Sequence, residues 1–316
     1  MSPGAKTIRT VLGDIAPGAL GVCDAHDHLF LRLPALAGRE LDDPAAARAE
    51  LAAFQALSGG ALAQWTPFGL GRMAAELPGV SRAAGAHVIA ATGLHQAAHY
   101  APQLLDRLRA DGLAALFVTE LAEGMFAGDD PDGPRVPARA GMIKVAGMFH
   151  FLDGHTREVM RAAAEAHHAT GAPIGVHHES GTAAADVLAL LHGELGVPVS
   201  SLLLGHLNRF PDPGIHRELA SSGAFLAFDG PSRAHHATDW RLLESLTELA
   251  AAGFAAQILV GGDTTTAEAR AATGGGPGLP YQLRTLRPRI AASLGEEAAR
   301  AFFVTNPARA FAANWR

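Results

Sequence analysis

The sequence predicts an α/β chain folded as a (β/α)8, or TIM, barrel, and three observations carry that expectation. Eight short apolar runs fall at about 21–27, 61–66, 87–92, 141–146, 172–177, 201–206, 223–228 and 257–262, each bounded by Gly, Pro or Asp. Stretches with helical spacing lie between them, as at 44–57, 157–170, 183–195 and 239–252. No glycine-rich dinucleotide fingerprint follows the first run, which weakens the competing open, doubly wound sheet. Strands that alternate with helices pair in parallel, and eight such units in roughly 300 residues favour closure into a barrel.

The first run ends in Asp24-Ala25-His26-Asp27-His28, and the second leads to Trp65, which is expected to pack in or around the barrel. The third is followed by His95, His99 and Tyr100, expected near the mouth. An Asp-, Gly- and Pro-rich stretch at 128–137 reads as an exposed loop before the fourth run, which carries Lys144 in Gly141-Met142-Ile143-Lys144-Val145. The fifth ends at His177-His178, the sixth at His206 and the eighth at Asp263. Gly274-Gly275-Gly276-Pro277-Gly278 reads as a flexible loop over the mouth; a phosphate cradle is the alternative there, without a Walker pattern to support it. His167, His168, His192 and His216 fall on helical stretches and are expected to be solvated.

Composition narrows the function classes. The 316 residues read as one unit, 1–316, with 48% hydrophobic residues and no apolar run long enough to span a bilayer. A net charge of −6 without a basic block argues against nucleic acid as a partner and leaves a small-molecule substrate. A single cysteine, Cys23, excludes an intrachain disulfide, and the mixed, polar first 14 residues lack a secretory h-region, so a cytoplasmic location is expected. Only Lys6 and Lys144 are lysines; the other 23 basic residues are arginine. Arginine bias does not account for a lysine inside an apolar strand.

Barrel enzymes carry their chemistry at the C-terminal ends of strands, and the metal-capable residues of this chain fall there. Residues two apart on a strand share a side, so His26 and His28 can reach one ion. Taken singly, each histidine also reads as a hydrogen-bonded or capping residue, and Lys144 as a lysine paired with an acid or snorkelling to the rim. Burial favours the neutral amine of Lys144, which can react with carbon dioxide to give a carbamate. Together, His26, His28, Lys144, His177, His206 and Asp263 supply what two borderline-soft cations need. Asp24 and Glu179 are placed to orient imidazoles, and His178 points opposite to His177.

The order His-x-His, Lys, His, His, Asp resembles the amidohydrolase superfamily and specifically its phosphotriesterase-like family. The likeness runs through Thr10-Val11-Leu12-Gly13-Asp14-Ile15, Ala90-Ala91-Thr92-Gly93, Ala140 to Lys144, and Thr305-Asn306-Pro307-Ala308-Arg309. The resemblance implies an amidohydrolase-type barrel, a homodimer and two divalent metal ions. Zinc suits the ligand set, as would cobalt or manganese. It assigns His26, His28 and Asp263 to one metal and His177 and His206 to the other. Lys144, as N6-carboxylysine formed with CO2, bridges them together with a hydroxide. Lys144 and Asp263 are then the catalytic pair.

The stretches 205–213, 228–233 and 274–279 resemble lactonase branches of that family, which points to cleavage of a lactone or related carboxylic ester. Phosphotriester or amide hydrolysis is the alternative, and a non-catalytic small-molecule binder a remote one. Two departures bear on substrate: His95 stands where many relatives have an aromatic residue, and His235, His236, Thr266 and Ala269 stand where phosphosugar lactonases carry a basic and aromatic clamp. His95, Arg209 and Arg233 are expected substrate contacts, with Arg270 a further cation for an anionic group.

Overall fold

A computed structural model of the protein describes residues 5–230 and 238–316. Its central feature is an eight-stranded parallel sheet in sequential order: β1 (Val22–Asp27), β2 (Gly59–Gln64), β3 (His87–Gly93), β4 (Met142–Ala146), β5 (Ile174–His177), β6 (Leu202–Leu204), β7 (Phe225–Asp229) and β8 (Ile258–Gly261). All eight expected strands form within a residue or two of their expected places. Sequential parallel neighbours require a crossover between each pair, and helices such as α1 (Pro44–Gln55), α2 (Gly154–Thr170) and α3 (Leu242–Leu249) supply it. Asp43 starts α1 and Asp153 starts α2 by accepting backbone N–H groups of the first turn. A short antiparallel hairpin, Ile8–Thr10 with Gly13–Ile15, precedes the barrel. Among the described residues, no helix is long and apolar enough to cross a membrane.

The seam between β8 and β1 is stitched at the site itself. The Asp263 amide donates to the His26 carbonyl at 3.0 Å. Asp24 accepts from the backbone N–H groups of His26 and Gly262, and Asp27 from those of His28 and Thr264. Gly261 is required by proximity, since a Cβ there would lie 2.5 Å from the His26 carbonyl oxygen.

Two apolar layers follow from strand alternation. One face packs under the helices through Ile143, Val145, Ile174, Val176, Leu202 and Leu204. The other fills the barrel with small residues, including Cys23, Ala25, Ala61, Ala63, Ala91 and Ala227, around Trp65. Gly175 and Gly205 make room for the indole, as a Cβ on either would approach it to 2.9 and 3.2 Å. The same inward register continues to Lys144 on β4, His177 on β5 and Asp229 on β7. On β1, Cys23 and Ala25 face inward, and the register against β2 breaks between Asp24 and Asp27. That irregularity lets His26 follow Ala25 into the interior, where its ring stacks on Trp65 at 3.9 Å.

Three expectations change. His167 and His216 are buried; their rings meet the carbonyls of Ala172 and Leu207 at 2.7 and 2.9 Å, because the helix faces that carry them turn inward. His168 and His192 are exposed as expected. The glycine-rich segment at 274–278 is not a free flap. Glu50 of α1 is buried and accepts backbone N–H groups from Ala271, Ala272 and Leu279. The stretch at 128–137 is irregular and largely exposed, as expected.

Candidate metal centre at the barrel mouth

The six expected ligands meet at the C-terminal end of the barrel and line one cavity. His26, His28 and Asp263 form a group whose ligand atoms lie within 4.8 Å of one another, with Asp263 Oδ1 3.3 Å from His28 Nε2 and 3.8 Å from His26 Nε2. The His206 ring centroid lies 4.7 Å from that of His26 and 4.4 Å from that of His177. His206 and Asp263 both adopt the left-handed backbone, φ 62° and 54°. A non-glycine residue is strained there, and such strain concentrates where a side chain must be aimed.

The second nitrogen of each imidazole faces a partner in the surrounding wall. The Thr66 hydroxyl donates to the Phe30 carbonyl, so its oxygen is left to accept from His28 Nδ1 at 2.8 Å. This fixes the tautomer that leaves His28 Nε2 bare. Glu179 Oε2 lies 3.1 Å from His177 Nε2 and also accepts from Gln96. His26 Nδ1 and His206 Nδ1 both face Asp229, at 2.8 and 2.7 Å. Outer partners that turn a bare nitrogen inward are the arrangement metal-binding histidines require.

The electrostatics agree with a cation site. Burial drives the His28 and His177 imidazoles down to about 4 and lowers that of His206 well below the ordinary value, so these three expected ligands stand neutral as ligands must; it lowers the neighbouring His95 likewise. Burial also brings the Lys144 amine down to about 7. It would raise the Asp263 carboxyl, but the Arg209 guanidinium beside it overcomes that and holds it well below the usual range. Four imidazoles, an ionised carboxylate and a lysine with an accessible neutral form fit two divalent ions.

Arg209 and His95 line the cavity, the former against Asp263 Oδ2 and the latter with its ring 4.5 Å from that of His177. Leu31, Leu33, Pro67 and Leu70 give the lining an apolar part. Arg233, His235 and His236 lie outside the described residues. Arg270 is buried, donates to the Leu29 carbonyl and lies in the field of the Glu50 and Asp27 carboxylates, so it anchors its loop and is not exposed to an anionic ligand. Tyr100 is likewise engaged: its hydroxyl accepts from the His95 amide and donates to the Phe68 carbonyl. Glu179 takes the orienting position expected of it. Asp24 holds backbone instead, and the carboxylate facing the imidazoles is Asp229. The residues that sequence reasoning missed are Asp229, Thr66 and Asn208, which pins Asp229 by two hydrogen bonds to its backbone. Asp229 ends a strand, as the expected ligands do, and that position was its one available signal.

A (β/α)8 barrel with imidazoles and a carboxylate converging at the strand ends defines a metal-dependent hydrolase. The chain belongs to the phosphotriesterase family, whose model matches residues 6–311. It is 30% identical to a phospho-furanose lactonase of Mycoplasmopsis agalactiae, over 74% of this chain and 69% of the relative. A lactonase structure from Listeria monocytogenes superposes with a TM-score of 0.88 at 28% identity, covering 96% of this chain and 98% of the other. A mutant of a lactonase from Deinococcus radiodurans superposes with a TM-score of 0.82 at 27% identity, covering 96% and 99%.

Proposed function

We propose that the protein hydrolyses a lactone or related carboxylic ester at a binuclear metal centre. His26, His28 and Asp263 would hold one ion and His177 and His206 the other, and Lys144, as N6-carboxylysine, would supply a carboxylate to both. The observation that carries this reading is that the ligand atoms of His26, His28 and Asp263 lie within 4.8 Å of one another in the cavity that His177, His206 and Lys144 also line, with the second imidazole nitrogens facing Thr66, Glu179 and Asp229. Relatives described as lactonases support the substrate class.

The Lys144 amine, drawn toward its neutral form by burial, attacks carbon dioxide; an N–C bond forms, a proton leaves, and the product carboxylate sits among the imidazoles. Zinc suits this nitrogen-rich donor set. When bound, two such ions lower the pKa of a water and polarise the substrate carbonyl. Asp263 takes up the proton released by the attacking water and delivers it to the ring oxygen as the C–O bond breaks. The apolar part of the lining receives the carbons of the ring, while His95 and Arg209 contact its polar substituents.

Assays of zinc-loaded protein on lactones, phosphotriesters and N-acyl amino acids test the reading. A kcat/KM for the best lactone at least tenfold above the others is expected; a clear preference for phosphotriesters or amides would overturn the substrate class.

A further inference from the structure

The buried carboxylate that ends β7 has no role in the ligand set above, yet it touches two of its four imidazoles. Asp229 is almost fully buried. Its Oδ1 lies 2.8 Å from His26 Nδ1 and its Oδ2 2.7 Å from His206 Nδ1. Oδ2 also accepts the backbone N–H of His206 at 2.9 Å. Neither approach between ring and carboxylate is aligned as a hydrogen bond in this structure, so His26 Nδ1, His206 Nδ1 and Asp229 Oδ1 stand buried without a hydrogen-bonding partner. Three unsatisfied polar atoms buried around one carboxylate are costly to maintain unless something completes the arrangement. A small rotation of each imidazole toward Asp229 completes it, and an ion drawing on the opposite nitrogens is what would hold the rings in that rotation.

We propose that Asp229 is the shared positioning residue of both metal subsites: one carboxylate fixes His26 and His206 in the Nδ1–H tautomer and aims both Nε2 atoms at the centre. The inference rests on the binuclear reading above, which assigns the two imidazoles to different ions. The backbone around Asp229 is prepared for this role. Asn208 accepts from the Asp229 amide at 2.9 Å and donates to its carbonyl, so the carboxylate is pinned relative to the loop that follows His206. Other outer contacts serve single ligands: Thr66 serves His28 and Glu179 serves His177. Asp229 alone among them spans the subsites. Loss of its carboxylate therefore disturbs both ions, whereas loss of Thr66 or Glu179 disturbs one.

The substitution that tests this is Asp229→Asn, which keeps size and one acceptor. An amide oxygen can accept from one ring N–H, and its NH2 then opposes the other ring and forces that imidazole into the alternative tautomer. Nitrogen-15 spectra of the imidazoles in metal-free protein at pH 8 read the tautomers directly. Wild type is expected to show His26 and His206 as Nδ1–H, and Asp229→Asn to show one of the two inverted. Chelator competition with zinc reads the consequence: the variant should lose roughly 10–100-fold in affinity, the range for removing an outer partner of a metal-bound histidine. Glu179→Gln should weaken one ion and leave the other as in wild type. Unchanged tautomers and unchanged zinc affinity in Asp229→Asn would overturn the inference, as would a Glu179→Gln variant that weakens both ions equally. His28→Ala separates this from failure of the underlying reading, since His28 does not touch Asp229. If His28→Ala loses zinc while Asp229→Asn behaves as wild type, the shared partner is wrong and the centre stands; if His28→Ala binds two zinc ions normally, the centre itself is wrong.

Discussion

Replacing Gly175 with alanine adds one methyl group inside the barrel, with consequences that travel to the mouth. The new Cβ would lie 2.5 Å from Met142 Cε and 2.9 Å from Trp65 Cη2. Met142 can yield, because its methyl is the free end of a flexible chain. Trp65 is less free: its Nε1 donates to the Ala25 carbonyl at 2.8 Å and its ring carries His26 at 3.9 Å. Carbon atoms pack comfortably at about 3.5 Å or more, so the indole must retreat by roughly 0.6 Å, and one direction of retreat is into the His26 ring. Overpacking of this kind costs about 1–3 kcal/mol. Displacing a ligand imidazole should add a loss of zinc affinity of about tenfold or more. Urea unfolding of metal-free protein measures the first quantity and chelator competition the second. Wild-type stability together with wild-type zinc affinity would refute the chain of contacts from Gly175 through Trp65 to His26.

Three further outcomes follow from the same geometry. Metal-free Lys144 titrates at about 7, so at fixed dissolved carbon dioxide the rate of reconstitution with zinc should rise tenfold per pH unit below about pH 7 and level off above it. A rate still climbing toward pH 10 would mean an ordinary lysine. Glu50→Gln removes an acceptor from the buried cradle of Ala271, Ala272 and Leu279 and should destabilise the protein by about 1–3 kcal/mol, with new protease cleavage within 264–278; an unchanged digestion pattern and midpoint would show that the loop is held otherwise. Arg209→Gln should raise KM about tenfold or more for lactones bearing a carboxylate or phosphate, the scale of a charged hydrogen bond, and change KM little for neutral lactones. An equal change for both would remove Arg209 from substrate recognition.

Much of this was legible in the sequence because a parallel barrel writes its strands as separate apolar runs and its chemistry at their ends. Lys144 stood out because an amine is conspicuous between Ile143 and Val145, and His177, His206 and Asp263 because each closes such a run. What could not be read were properties of the closed object. Nothing local distinguishes Asp229 from any acid after a strand; its role depends on β1 and β6 bringing two rings to it. Thr66 matters only because its hydroxyl is committed to the Phe30 carbonyl. His216 is a polar residue on a helix until the Leu207 carbonyl is placed beside it. Arg270 failed as an anion site for the same reason, since Glu50 and Leu29 come from distant segments. The His-x-His spacing anticipated two rings on one side of the strand, which is where the structure places them, but not the register break between Asp24 and Asp27 that accompanies their turn inward.

The most direct test is the carbon-13 spectrum of protein reconstituted with zinc and labelled carbon dioxide, beside the Lys144→Arg variant. One protein-bound labelled carbamate carbon per chain in the wild type, and none in Lys144→Arg, is the predicted result. Two zinc ions bound with no labelled carbon, or a label that survives the arginine substitution, would contradict the bridge on which the proposed centre depends.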